Sequence, residues 1–155
     1  MPLETTLSLS TIVWKESNDV SCIGEVSAPD GSPLYLSMPK STIFSGVKDG
    51  TISFVVEDQE FREKIQRLEN HFHQLTDRTS ALKSSIEDRG FCDVIACGVG
   101  VGTCIIDTDG KKLKLGNISA GLWCSARIGV RCVYLNRHHF GVKLCCEELL
   151  VSYTP

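Results

Sequence analysis

Short runs in which apolar and polar residues alternate fill the first third of the chain. The clearest runs are LSLSTIVW (7–14), SCIGEVSA (21–28), PLYLSM (33–38) and TISFVVE (51–57). Side chains of a strand point alternately to its two faces, so this pattern is typical of strands with one buried face. Turn-forming residues separate the runs, and Asp49-Gly50 is a strong hairpin signal. We expect a meander of β-strands in this part of the chain.

The pattern changes at Asp58, a residue type that caps helix N-termini. Beyond it, apolar residues recur every three or four positions, which places them on one stripe of a helix. The stripe comprises Phe61, Ile65, Leu68, Phe72, Leu75, Leu82 and Ile86. The polar stretch 76–80 offers a point of interruption. The sequence therefore predicts one bent helix or a pair of helices within residues 58–89.

Strand patterns return from residue 91. They are FCDVIACGVGVGTCIIDT (91–108), KKLKLGNI (111–118), GLWCSARIGVRCVYL (121–135) and FGVKLCCEELLVSY (140–153). The order of strands, helix and strands predicts a mainly β protein, a small Greek-key or OB-like barrel with the helical segment inserted. An α+β sandwich is the alternative. The length fits a single domain over residues 1–155.

Composition narrows the setting in which the protein works. With 42% hydrophobic and 23% charged residues, the chain resembles ordinary folded domains. It has no apolar run of the roughly 20 residues that cross a bilayer, and its start lacks the basic region of a secretory signal. The eight cysteines form no CxxC pair and lie mostly in apolar stretches, as reduced core thiols do. We expect a cytoplasmic or nuclear protein, neither secreted nor membrane-bound.

Neither a cofactor nor a metal is expected. The best zinc ligands in the sequence, His71, His73 and the pair Cys145–Cys146, are scattered, and zinc coordination by them remains an alternative. The glycine-rich CGVGVG (97–102) lacks the Gly-Lys-Ser/Thr ending and the following helix of a phosphate-binding loop. No sequence signature places a cysteine at a strand–helix elbow or a helix N-terminus, where a catalytic nucleophile would lie. The chain is therefore expected not to be an enzyme.

Charge is distributed unevenly along the chain. Residues 110–146 contain no Asp or Glu, although the whole chain has a formal net charge of −3. The basic residues in this segment are Lys111, Lys112, Lys114, Arg127, Arg131, Arg137 and Lys143, together with His138 and His139. A local excess of positive charge suits binding of a polyanion such as nucleic acid. The alternative is a set of ordinary solvated strand positions.

Alternation in RIGVRCVYLNRHHFGVKL (127–144) assigns these side chains to faces. Ile128, Val130, Cys132 and Tyr134 share an apolar face that we expect to be core, as we expect for Val142, Leu144 and Cys146 in the returning strand. Arg127, Arg131 and Lys143 would then form a ladder on the outer face, suited to successive phosphates. The candidate aromatic platforms for base stacking are Trp123, Phe140 and, if its predicted face is wrong, Tyr134.

Three stretches resemble one known family. They are PLYLSMPKSTIFSGV (33–47), EDQEFREKIQRLENHFHQLTDRTS (57–80) and VYLNRHHFGVKL (133–144). Together they are similar to segments of the single-stranded DNA-binding proteins of large nucleocytoplasmic DNA viruses, with an aromatic at Tyr134 and an aromatic-Gly pair at Phe140-Gly141. The resemblance implies an OB-fold that binds single-stranded DNA without sequence specificity and supports replication, recombination or repair. A preference for DNA over RNA is left open.

A structural role is the alternative function. The apolar stripe from Phe61 to Ile86 continues long enough to form a coiled-coil-like seam between two copies of the chain. The protein would then be a homodimer that acts in assembly. Packing of the same stripe against the chain's own sheet is the other interpretation.

Overall fold

The structure is a computed structural model that describes residues 11–18, 21–28, 30–76 and 80–154. The first four residues of the predicted strand 7–14 lie outside this range, as do residues 77–79 of the predicted helix break. The strands are β1 (Thr11–Asn18), β2 (Ser21–Ser27), β3 (Leu34–Lys48), β4 (Thr51–Val55), β5 (Ala81–Leu82), β6 (Ile86–Asp88), β7 (Asp93–Gly98), β8 (Cys104–Asp107), β9 (Trp123–Asn136) and β10 (His139–Ser152). One helix, α1 (Gln59–Gln74), joins β4 to β5, and a short 3₁₀ turn (Leu115–Asn117) precedes β9.

Five strands close into a barrel. Their order is β9-β3-β4-β7-β10, and pairing of β9 with β10 completes the ring. The first barrel strand in the chain, β3, is long enough to pair with β9 through its first half and with β4 through its second half. The predicted OB-like barrel with an inserted helix is confirmed, and the α+β sandwich is wrong. The helix enters between the second and third barrel strands.

The hairpin of β9 and β10 joins two strands of 14 residues each. The two strands pair from Trp123–Ser152 at one end to Leu135–Phe140 at the other. The first part of β9 (123–130) also pairs with β3 in the barrel. Its last part (132–136) pairs with β2, to which β1 adds an outer strand. On its other side β10 meets β7 at the pair Cys145–Gly98 only, flanked by β5 and β8.

The helix ends earlier than the sequence predicts. Asp58 caps it as expected, since its carboxylate accepts a hydrogen bond of 2.7 Å from the Phe61 amide. Leu75 is its C-cap and is 54% exposed, while Leu82 and Ile86 lie in β5 and β6. These strands are held by pairing with β10 and β7, which outweighs the helical spacing of their apolar residues. No helix in the described part of the chain is long and apolar enough to span a membrane.

The apolar stripe of α1 packs into the chain's own core. Phe61, Ile65, Leu68 and Phe72 are all buried there among barrel residues. The continuous seam predicted for a dimer is therefore wrong, because four of its residues are covered within the chain. The other three do not extend the stripe, because Leu75 is the exposed C-cap and Leu82 and Ile86 lie in strands β5 and β6.

A buried carboxylate ties the helix to the sheet. Glu69 is 1% exposed and accepts hydrogen bonds from the Ser84 hydroxyl (2.8 Å) and the Ser85 amide (2.7 Å). The Ser85 hydroxyl in turn donates to the Val142 carbonyl of β10 (3.1 Å). Burial raises the pKa of Glu69, and the hydrogen bonds from the two serines oppose part of that rise.

Truncating a core residue of α1 should destabilise the fold strongly. Phe72→Ala is expected to lower the free energy of unfolding by about 3–5 kcal/mol, because it removes a fully buried ring from a packed core. Leu75→Ala, one residue past the helix, is the matched control and should change it by less than about 0.5 kcal/mol. Urea unfolding followed by circular dichroism measures both. Similar losses for the two variants would contradict this packing.

The buried Glu69 should make stability depend on pH. Its folded pKa is raised above the ordinary value of 4.5, so the native state holds this proton more tightly than the unfolded state. The resulting stabilisation is present at low pH and is lost as pH rises from about 4.5 through the folded pKa. Glu69→Gln lacks this dependence, so its stability relative to the unmodified protein should increase over that window.

Urea unfolding at a series of pH values from 4 to 8 measures this difference. Glu63→Gln, on the exposed side of the same helix, controls for the loss of one negative charge. A constant difference between Glu69→Gln and the unmodified protein at every pH would show that Glu69 titrates alike in both states.

Candidate nucleic-acid interface

A β-bulge in β9 sets which of its side chains face outward. Lys143 pairs with Cys132 and the next residue of β10, Leu144, pairs with Val130, so Arg131 is an extra residue. Before the bulge the predicted faces are confirmed, with Ile128 and Val130 buried. After it the alternation is inverted.

The residues after the bulge correct the predicted core. Val133 is fully buried, whereas Cys132 and Tyr134 lie on the outer face and are only half-buried. Their prediction as core residues was wrong, because one inserted residue moves every later side chain to the opposite face. On β10, the predicted core residues Val142, Leu144 and Cys146 are confirmed.

The predicted ladder has the expected orientation. Arg127, Arg131 and Lys143 are all exposed on the outer face of the hairpin. However, the absence of acidic residues from the segment 110–146 does not make its surface free of negative charge. The next two residues, Glu147 and Glu148, fold back onto the same face and pair with the two arginines. The middle of this face therefore carries nearly balanced charge, which the sequence interpretation missed.

Arg131 and Glu147 form a two-pronged ion pair. Arg131 Nε lies 2.6 Å from Glu147 Oε1, and Nη2 lies 2.8 Å from Oε2. Glu147 is itself a bulge residue, since Cys146 pairs with Ile128 and Glu148 with Arg127. Its side chain lies across Gly129, where a Cβ atom would collide with it. This glycine makes room for the carboxylate on the strand surface.

An exposed tyrosine lies beside the ladder. Tyr35 of β3 pairs with Gly129, is 42% exposed, and has the Arg127 guanidinium carbon 4.4 Å from its ring centroid. Arg127 Nη2 also forms an ion pair with Glu148 Oε1, 3.1 Å away. A guanidinium over a tyrosine ring is a cation–π contact. Tyr35 was not among the predicted site residues, although alternation in LYLSM places it on the face opposite Leu34 and Leu36.

A second tyrosine lies further along the same face. The ring of Tyr134 covers Gly141, and a side chain at Gly141 would collide with it. Lys143 Nζ is 5.9 Å from the Tyr134 ring centroid. Burial raises the pKa of this tyrosine. Tyr134 is five residues from Gly129 along β9, so the two tyrosines are on the order of 16 Å apart on one face.

The structure places the remaining candidates elsewhere. Phe140 is fully buried and packs against His73, with ring centroids 5.4 Å apart, so its prediction as a stacking platform was wrong. It occupies an inner position opposite Leu135. Trp123 is half-buried and begins β9 at the opposite end of the hairpin.

The other basic residues flank the ladder at its two ends. Lys111, Lys112 and Lys114 are exposed after β8, and Lys112 pairs with Ile106 near the Trp123 end. Arg137, His138 and His139 are exposed at the turn of the hairpin, where Asn136 Oδ1 accepts from the amides of both histidines. The predicted site is thus one central group with a basic group at each end.

The prediction of core thiols holds for only some of the cysteines, since four are half-buried and Cys104 is exposed. All eight are free, and three of them, Cys97, Cys124 and Cys146, are buried. Burial raises the pKa of Cys124 and of Cys146 to about 12, so both carry a proton at neutral pH. Among the described residues, no group of three or more His, Cys, Asp or Glu side chains could hold a metal ion.

Solved structures of a phage protein share this architecture. The single-stranded DNA-binding protein from bacteriophage Enc34, in a C-terminally truncated form, aligns with a TM-score of 0.54 at 12% identity, covering 94% of this chain and 96% of that chain. The same phage protein in complex with single-stranded DNA aligns with a TM-score of 0.52 at 14% identity, covering 94% and 97%. No protein-family model and no curated protein matches the sequence. The chain is therefore similar in fold to phage single-stranded DNA-binding proteins along almost its whole length, while the viral group that the sequence resembles stays a prediction.

Proposed function

We propose that this protein binds single-stranded DNA without sequence specificity on the outer face of β3, β9 and β10. The observation that carries the proposal is the exposed Tyr35 with Arg127 stacked on it, on an outer strand face that has a group of basic residues at each end. This face belongs to a barrel whose structural neighbours are single-stranded DNA-binding proteins. A role in replication, recombination or repair is part of the proposal, and RNA is the alternative ligand.

Stacking on tyrosine explains why a single strand would be preferred. Only an unpaired base exposes the flat face that Tyr35 can contact, and every base has such a face. Tyr35 and Tyr134 lie on one side of the hairpin, so one strand running along β9 can reach both. Contacts to base faces and phosphates do not read base edges, and binding would be independent of sequence.

Charge contributes through the ladder and its flanks. Arg127, Arg131 and Lys143 lie along the same path as the tyrosines. A strand following β9 would also meet the lysines near the Trp123 end and the Arg137–His139 turn at the other. Since Glu147 and Glu148 neutralise part of the central charge, stacking carries a larger share of the affinity here than in an unopposed basic groove.

Binding should prefer single strands and weaken with salt. Fluorescence anisotropy with labelled oligo-dT and with a duplex of equal length, over a series of salt concentrations, measures this. Arg127→Gln should weaken binding to the single strand and reduce the slope against log salt by about one. Lys64→Gln, which removes an ion-paired cation from α1, is the control and should leave both unchanged. Absence of binding at low salt, or equal binding to duplex, would refute the proposed function.

Loss of the exposed ring should weaken binding without unfolding the protein. Tyr35→Ala is expected to cost about 1–3 kcal/mol of binding free energy, which is roughly five- to 150-fold in affinity. Tyr153→Ala removes another exposed tyrosine (63% exposed) near the C-terminus and is the matched control. Equal affinities of the two variants would exclude Tyr35 as a stacking platform.

A further inference from the structure

A recess opens beside the ladder, between the turn that follows β7 and the middle of β10. Its volume is about 310 Å³. One side is formed by the glycine-rich turn 98–103, and the other by Arg131, Glu147 and Cys145. The sequence motif CGVGVG thus lines a hollow on the barrel surface, next to the central ion pair.

Gly98 keeps this recess open. A Cβ atom at Gly98 would lie 3.7 Å from the Leu144 carbonyl oxygen and 3.9 Å from Cys145 Sγ, which are ordinary contact distances. Its φ is also outside the left-handed region. Neither packing nor backbone geometry therefore requires glycine here, and the consequence of having no side chain is the open space itself.

The wall of the recess is held in place. The Thr103 hydroxyl donates to the Cys146 carbonyl (2.8 Å) and accepts from the Gly100 amide (3.1 Å). The turn is further tied to the neighbouring hairpin, because the Val99 amide donates to the Gly50 carbonyl (2.8 Å). These bonds fix the position of the turn relative to β10.

Arg131 provides the cation at the rim. Its side chain is 54% exposed and that of Glu147 is 14% exposed, so the carboxylate occupies the more enclosed position. A planar guanidinium that binds a carboxylate through two parallel hydrogen bonds can bind a phosphate in the same way. Glu147 therefore holds Arg131 in a geometry that also suits a phosphate.

We propose that this recess is a subsite for one phosphate group of a bound DNA strand, and that Arg131 exchanges Glu147 for this phosphate. Glu147 is then a competitor within the site, which keeps the face nearly neutral until a strand arrives and limits the affinity of binding. This inference rests on the proposed function and identifies Glu147 as the residue that limits DNA affinity.

Removing the competitor should strengthen binding. Glu147→Gln is expected to tighten binding of labelled oligo-dT by roughly three- to tenfold and to steepen the slope against log salt by about one, because Arg131 no longer has a charged partner. Glu60→Gln, which removes an equivalent charge from an ion pair on α1, should leave affinity unchanged. Glu147→Asp keeps the charge but shortens its reach to Arg131, and it should tighten binding in the same direction.

The exchange itself is tested in an Arg131→Gln background. If Glu147 acts by competing for Arg131, Glu147→Gln should no longer raise affinity there. An equal gain in both backgrounds would mean simple repulsion of the strand and would overturn the inference.

The recess is tested by filling it. Gly98→Val places a branched side chain in the hollow at the end of β7 and should weaken binding by roughly three- to tenfold, through the loss of one charge-assisted contact. Gly116→Val, at an exposed glycine with open space around it, is the control. Thermal melting of every variant separates loss of binding from loss of folding.

The outcomes distinguish the two proposals. If the unmodified protein binds oligo-dT and neither Glu147→Gln nor Gly98→Val changes its affinity, the inference fails and the proposed function stands. If the unmodified protein binds no single strand at low salt, the proposed function fails and the inference fails with it.

Discussion

The surface of this barrel depends on one inserted residue in β9. Because β9 pairs with strands on both sides, its side chains have only two directions available, and the bulge at Arg131 decides which residue takes which direction. It moves Val133 into the core and Tyr134 onto the surface. It also gives Arg131 the freedom to reach along the strand to Glu147. The bulge of β10 at Glu147 complements it, so the two irregular residues of the hairpin bind each other.

More of the fold than of the candidate site could be predicted from the sequence. Alternation of apolar residues located the barrel strands, and Asp58 marked the start of the helix, because both depend on neighbours within a few residues. The end of α1 depended on pairing of residues 81–88 with β7 and β10, which local spacing does not contain. The bulge at Arg131 has no local signal either, since the four residues after it, CVYL (132–135), are all apolar and fit either face. For that reason the sequence predicts Tyr134 as a core residue.

The site shows a related limit on reading charge from sequence. The run 110–146 has no acidic residue, but the two residues that follow it, Glu147 and Glu148, lie on the same face and pair with its arginines, because the hairpin places them there. Charge along a chain and charge on a surface differ wherever strands are antiparallel, because positions far apart in sequence become neighbours. The stronger signal was an aromatic at an outward strand position, Tyr35, which stacks with Arg127 whatever the net charge of the face.

The pairing of β3 with β9 also constrains how the chain reaches this structure. The first half of β3 finds its strand partner, among the described residues, in the segment 123–130, so the register Leu34–Val130 closes a loop through most of the chain. Closing such a loop costs conformational entropy before any contact compensates for it, whereas the β9–β10 hairpin forms locally. During synthesis the apolar inner side of β3, including Leu34, Leu36 and Met38, therefore lacks this cover until β9 has left the ribosome. Assembly of the barrel is then pairing of β3 with a hairpin that is made much later, and the apolar face of β3 is most exposed to aggregation before that hairpin has been synthesised.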